Sequence, residues 1–203
     1  MHSTDRFSVR RGLAAALLAG ALLLAGCSSQ EPWQTMDISS IMPALEFGLV
    51  DETGREVTAQ DYRGEVVLLF FGFTSCPDVC PTTLARLSAV RRGLPEELAS
   101  RLRILFVSVD PQRDSPADLA AYTDAFGERI TGLTGDMKAL RALNRRYRVT
   151  FGYGAADAQG NYEVSHSGAV FAFGPEGAAR VLIRDRDSRE AVMADLRRLA
   201  AAS

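Results

Sequence analysis

Two cysteines and a histidine are the residues of this chain best equipped for chemistry. Cys76 and Cys80 lie in Ser75-Cys76-Pro77-Asp78-Val79-Cys80-Pro81, and His166 lies far downstream in Glu163-Val164-Ser165-His166-Ser167-Gly168. A thiolate is a nucleophile, half of a redox couple and a soft-metal ligand, and a neutral imidazole is a common nitrogen ligand. If the second cysteine sits in the first turn of a helix, both sulfurs project to one side, near enough to share an ion or to close a disulfide. The wide bite suits one soft ion of low coordination number such as Cu(I). His166 either completes an S₂N ligand set or is a hydrogen-bonded structural residue, and spacing alone leaves both open.

Carboxylates attend the pair. Asp78, between the cysteines, either offers an oxygen to Cu(II) or is an exposed loop residue. Asp110 follows the strand-like run Arg103–Val109 and either tunes the sulfurs from behind or turns the chain before Pro111. Arg113-Asp114-Ser115-Pro116 reads as a helix cap, with Asp114 or Ser115 accepting first-turn N–H groups.

The third cysteine has a different setting. Arg6, Arg10 and Arg11 precede an apolar stretch from Leu13 to Ala25, which ends in Leu24-Ala25-Gly26-Cys27. That stretch falls short of the ~20 apolar residues needed to cross a bilayer and reads as an export signal. Leu-Ala-Gly-Cys resembles the lipobox of bacterial lipoproteins, which implies cleavage before Cys27 and a lipid on its sulfur. The expected organisation is a signal peptide over 1–26, a lipidated cysteine and flexible tether over 27–41, and one folded domain over 42–203. Cleavage removes His2, so Cys76, Cys80 and His166 become the thiols and imidazole of the folded domain.

The elements that must position these residues follow from periodicity. Val66–Phe73 is a nearly unbroken apolar run, expected of a central strand covered on both faces. Leu84, Leu87, Val90 and Leu94 then recur at helical spacing, with Gly93 and Pro95 as the stop. The strand 103–109, a helix from Ser115-Pro116 and a helix over 136–147 come next. Alternation returns in paired strands at 149–153 and 161–164, in 169–173 and 180–183 around Gly174-Pro175-Glu176-Gly177, and a terminal helix carries Val192, Leu196 and Leu199. A hairpin over 46–58, turning at Asp51-Glu52-Thr53-Gly54, comes before all of these. The class is α/β, and the order resembles the thioredoxin-like fold, βαβ…ββα, with an N-terminal β-hairpin and an inserted hairpin before His166. Redox enzymes of that type usually carry two residues between their cysteines, against three here, which loosens the disulfide argument. The thiols stand where a strand enters a helix, so free N–H groups and the helix dipole should lower one or both thiol pKa values.

With 23 basic and 25 acidic residues the chain has a formal net charge of -2, which excludes a nucleic-acid binder working by bulk charge. No phosphate-binding glycine loop, zinc helix or serine elbow is present.

Gly72–Pro81, Ser108-Val109-Asp110-Pro111-Gln112-Arg113-Asp114-Ser115-Pro116 and the late His166 together resemble the Sco/SenC family of copper chaperones over roughly residues 42 to 200. The resemblance implies one copper, as Cu(I) or Cu(II), held by Cys76, Cys80 and His166 on the periplasmic face of the bacterial cell membrane. It further implies service in assembling the dinuclear copper centre of cytochrome c oxidase. The implied partners are the oxidase subunit carrying that centre, a copper donor protein and a periplasmic thiol reductant. Such a protein is not an enzyme in the strict sense. The alternative is a thiol-disulfide oxidoreductase that reduces the copper-ligand cysteines of the oxidase subunit, with a Cys76–Cys80 disulfide in its oxidised form. His166 separates the two, since metal delivery needs it and thiol exchange does not. A thiol peroxidase using Thr74 or Arg113 is a third expectation.

Overall fold

The most apolar run of the sequence becomes the centre of a sheet. The computed structural model describes residues 31–155, 157, 162, 164, 165 and 167–201. Along them run β1 (Met36–Asp37), β2 (Gly48–Asp51), β3 (Glu56–Thr58), β4 (Val66–Gly72), α1 (Val79–Arg92), α2 (Glu96–Ala99), β5 (Leu102–Ser108) and α3 (Pro116–Asp124). Then come β6 (Ile130–Thr134), α4 (Met137–Arg146), β7 (Gly152–Tyr153), β8 (Val164–Ser165), β9 (Val170–Phe173), β10 (Ala179–Ile183) and α5 (Arg189–Ala201). Eight strands form one sheet in the order β1-β10-β9-β4-β5-β6-β2-β3, and β7 pairs with β8 apart from it.

Every residue of β4 is buried, because the strand is paired on both edges and covered on both faces. Strand alternation sends Val66, Leu68 and Phe70 to one face, against Leu84 and Leu87 of α1, Leu119 of α3 and Val192 and Leu196 of α5. Val67, Leu69 and Phe71 go to the other, against Leu140 and Leu143 of α4 and Tyr147. Each such side chain contributes about 1.5–3 kcal/mol on burial, so the strand ending at the cysteine loop is held firmly. β4, β5 and β6 run parallel, and β9 runs antiparallel to β4 with Val170 opposite Phe70. Helical crossovers between parallel strands put the loop after β4 and the loop after β5 at one sheet edge.

The expected α/β class, N-terminal hairpin and inserted hairpin are all present, the last as β7 and β8 with Gly152 opposite Ser165. Its turn, expected at Gln159-Gly160, lies outside the described residues. Two strands go beyond expectation, β1 within the expected tether and β6. β6, Ile-Thr-Gly-Leu-Thr, lacks an apolar run because a Cβ at Gly132 would lie 2.7 Å from Leu119 Cβ of the covering helix.

The tether expected over 27–41 is corrected in its second half. A compact unit begins at Trp33, not at residue 42. Asp195 accepts from the Gln34 N–H at 2.9 Å, from the Thr35 N–H at 2.8 Å and from the Thr35 hydroxyl at 2.7 Å. Met36 and Asp37 then pair with β10, and Ile38 is buried. The anchoring donors here, two backbone N–H groups and the Thr35 hydroxyl, share one acceptor that is distant in sequence. No helix among the described residues is long and apolar enough to cross a membrane.

Candidate metal centre

Cys80 occupies the first turn of α1 and is 0% exposed. It fits there because position 72 has no side chain. A Cβ on Gly72 would stand 2.6 Å from Cys80 Sγ and 2.5 Å from Phe106 Cε2. Cys76 is half-buried in the preceding loop, where its N–H donates to the Phe73 carbonyl at 3.3 Å. The Cys80 N–H in turn donates to Cys76 Sγ at 3.5 Å. The Cys76 sulfur thus accepts a hydrogen bond from the positive end of α1, as expected for a sulfur at a strand-to-helix turn. Both residues are thiols in this structure.

Of the two thiols, one or both expected to have a lowered pKa, Cys80 is shifted the other way. Burial pushes its thiol far up; the Phe73 N–H pulls the other way, and the charges of Cys76 and Asp114 add to the rise. Desolvation defeats the helix dipole because the sulfur lies beneath the helix end rather than at its mouth. The two sulfurs are therefore unlike, one half-exposed and accepting the first-turn N–H, the other enclosed where burial favours the thiol.

Asp114 organises the loop in front of Cys76, a role that the cap reading missed. It is 1% exposed and accepts from the Thr74 N–H at 3.0 Å, the Thr74 hydroxyl at 2.6 Å and the Ser108 hydroxyl at 2.6 Å. The end of β5 is thereby tied to the cysteine loop. Ser115 is the cap of α3, sharing a reciprocal capping box with Asp118. The sequence cue was an acid already supplied with a capping serine next door, hence free for longer-range work.

Asp110 is likewise buried, but its carboxylate is taken by Arg113 Nε at 2.5 Å and the Tyr162 hydroxyl at 2.6 Å. The acid whose charge reaches Cys80 is Asp114. Asp78 is exposed at the N-cap of α1, makes no side-chain cap and accepts from the Thr82 hydroxyl at 3.4 Å. Arg113, considered above for peroxide chemistry, stacks 4.0 Å over the Tyr162 ring and 5.7 Å from the Phe73 ring.

Beside the loop is a cavity of about 600 Å³, with Ser75 and Pro77 on one wall, Arg113 at its side, and Tyr153, Val164 and Ser165 opposite. His166 and Cys27 lie outside the described residues. The neighbours of position 166 are described. Ser165 lines the cavity with Ser75 and Pro77, and a Cβ on Gly168 would lie 3.2 Å from Val79 Cγ1, between the two cysteines. The chain before position 166 therefore shares a cavity with the thiol loop, and the chain after it comes against that loop at Val79. Among the described residues no three His, Cys, Asp or Glu side chains group as a metal site, so Cys76 and Cys80 stand there as a pair. Two sulfurs suit a soft monovalent ion, and a nitrogen added from the neighbouring segment would make a divalent one tolerable.

Residues 41–201 match the family model for SCO1/SenC. The mitochondrial SCO2 homolog of Bos taurus is 41% identical over 133 residues, 65% of this chain and 50% of that protein, so the chain spans about half that relative's length. A putative copper-binding protein of Stutzerimonas stutzeri is 38% identical over 143 residues, 70% of this chain and 69% of that one. The structure of Bradyrhizobium japonicum ScoI with copper bound superposes with a TM-score of 0.70 at 33% identity, covering 77% of this chain and 98% of that one. A thioredoxin-like thiol pair at the strand-to-helix turn and this match along most of the chain lead to one conclusion: the chain belongs to the SCO1/SenC family.

Proposed function

We propose that this chain is an exported copper chaperone, tethered by a lipid on Cys27 to the periplasmic face of the bacterial cell membrane. It binds one copper through Cys76, Cys80 and His166 and delivers it to the dinuclear copper centre of cytochrome c oxidase. The observation that carries the reading is that two unlike sulfurs share one loop, that the chain before position 166 lines the cavity beside it and that the chain after comes against it. The names of the relatives support the ligand, since one is a putative copper-binding protein and a solved neighbour holds copper. Residues 1–26 are the cleaved leader, and the stretch between Cys27 and Trp33 links the lipid to the domain.

The asymmetry of the sulfurs suits ligand exchange. Cys76, half-exposed, is the ligand an incoming thiolate can displace first, while Cys80 keeps its hold from beneath. Asp114 fixes the loop through Thr74, so Cys76 is presented in one position. Asp110 holds Arg113 against the cavity wall rather than acting on a sulfur. A copper donor and a thiol reductant are required upstream, because both sulfurs must be reduced to receive the ion.

The same asymmetry also offers a second reading, reduction of a target disulfide. Cys76 would attack one target sulfur to give a mixed disulfide. Cys80 would then attack Cys76, releasing the target as a dithiol and leaving a Cys76–Cys80 disulfide, with two electrons passed. Burial weakens this reading, because Cys80 is held in the thiol form and the closing step needs its thiolate.

The test adds Cu(II) to the reduced chain and follows sulfur-to-copper charge-transfer absorption. Wild type is expected to show the band at one copper per chain, Cys76→Ser and Cys80→Ser to lose it, and His166→Ala to weaken and shift it. The same stoichiometry and spectrum in all four would refute the ligand set, and absence of the band from the wild type would favour thiol exchange.

A further inference from the structure

α4 and the residues after it carry a run of cations. Acidic residues outnumber basic ones overall, 25 to 23, yet Lys138, Arg141, Arg145, Arg146 and Arg148 follow one another with no acid among them. Arg146 is occupied, paired with Glu46 at 2.6 Å and donating to the Ala44 carbonyl at 3.1 Å. Lys138, Arg141, Arg145 and Arg148 are exposed, and among the described residues none has an ion-pair partner. Positions 138, 141 and 145 share one side of the helix. Arg148, just past its end, has a φ of 55°, where glycine is the usual residue.

Between these cations is a cavity of about 430 Å³ lined by Arg141, Asn144, Arg145, Phe151 and Tyr153, among others. Asn144 is 4% exposed, and neither its Oδ1 nor its Nδ2 has a hydrogen-bond partner. An enclosed amide with both ends unsatisfied is costly and rare. A carboxamide presents a donor and an acceptor side by side, which the C=O and N–H of a polypeptide backbone satisfy together. A phosphodiester itself offers acceptors only, so a lipid would need a separate headgroup hydroxyl or ammonium for Oδ1, whereas a backbone meets both ends of the amide at once. Gly152 and Tyr153 line both this cavity and the one beside the cysteine loop, so an occupant here lies against the base of the β7–β8 hairpin.

We propose that this face docks an acidic segment of a partner protein, its backbone hydrogen-bonded to Asn144 and its carboxylates on Arg141 and Arg145. The proposal goes beyond copper delivery and stands without it, so its test uses no metal. Fluorescence anisotropy is measured with a labelled deca-glutamate peptide and the full chain in neutral detergent micelles. In parallel, sedimentation is measured with vesicles of phosphatidylcholine and phosphatidylglycerol. The double variant Arg141→Gln/Arg145→Gln should weaken peptide binding by about tenfold, the loss of two partly shielded ion pairs. Asn144→Asp, which keeps the size of the side chain but puts a negative charge at the floor, should weaken it at least as much. Arg197→Gln, an exposed cation of α5, should leave it unchanged. Equal binding by wild type and the double variant, an equal loss with Arg197→Gln, or binding of the vesicles with none of the peptide would each overturn the proposal.

Discussion

Replacing Asp114 tests whether a buried carboxylate holds the thiol loop. It accepts three hydrogen bonds, two from Thr74 and one from Ser108, and is 1% exposed. Hydrogen bonds to a charged acceptor contribute about 1.5–3 kcal/mol each, while removing the carboxylate returns several kcal/mol of desolvation. For Asp114→Ala the balance is a loss of about 3–5 kcal/mol, because the Thr74 N–H and the Ser108 hydroxyl remain buried without an acceptor. Asp114→Asn should cost only about 1–2 kcal/mol. Its oxygen can take the place of Oδ2 and keep two of the bonds, while the Thr74 hydroxyl turns to accept from the new NH₂. Urea unfolding of the metal-free chain reads both changes. At a slope of about 2 kcal/mol per molar, the midpoint falls about 0.5–1 M for Asn and about 1.5–2.5 M for Ala. Hydrogen exchange at the Thr74 amide should quicken in the same order. Both variants unfolding within about 0.5 kcal/mol of wild type, with Thr74 exchange unchanged, would show that the loop is held by something else.

Two further outcomes follow from packing and charge. Gly72→Ala places a methyl 2.5–2.6 Å from Phe106 Cε2 and Cys80 Sγ, and should lower stability by about 1–3 kcal/mol and speed the reaction of Cys80 with an aromatic disulfide reagent; unchanged unfolding and reactivity would mean that the strand end yields freely. Burial alone would raise the carboxyl pKa of Asp51, but hydrogen bonds from Thr53 and Arg55 hold it below its ordinary value. Its stabilisation is therefore present above the usual carboxylate range and is lost as pH falls through the lowered folded value. Unfolding free energy of Asp51→Asn should fall less steeply than that of wild type over that acid window, and parallel curves would remove Asp51 from the account.

What could be read from the sequence was what depends on neighbours in sequence. β4 announces itself because both of its faces are buried, and an apolar run is the only composition that satisfies both. The thiol pair is placed by that strand and by the helix periodicity of Leu84, Leu87 and Val90. β6 escaped because its Gly132 is dictated by a helix packed across it, which no local pattern reveals. Residues 34–38 looked like a tether because the group that ties them down, Asp195, is 160 positions from Thr35. Asp114 looked like a cap because its partner Thr74 is 40 positions away. The missed features share one property, a polar or small residue whose reason for being there is a distant atom.

That property bears on why the two sulfurs differ. Sequence places both at the mouth of a helix and so assigns them the same electrostatic advantage, but the strand end at Gly72 leaves room for Cys80 to sit enclosed beside Phe106, while the first-turn N–H of Cys80 itself goes to Cys76. Two exposed thiolates would close readily on each other in an oxidising compartment, whereas a buried, protonated partner slows that closure by lowering the thiolate fraction. A soft cation reverses the handicap, since it replaces the proton and supplies the charge compensation that the apolar surroundings withhold. The burial that raises the pKa of Cys80 therefore slows closure of a disulfide within the pair, and an ion that took the place of the proton would offset the same penalty.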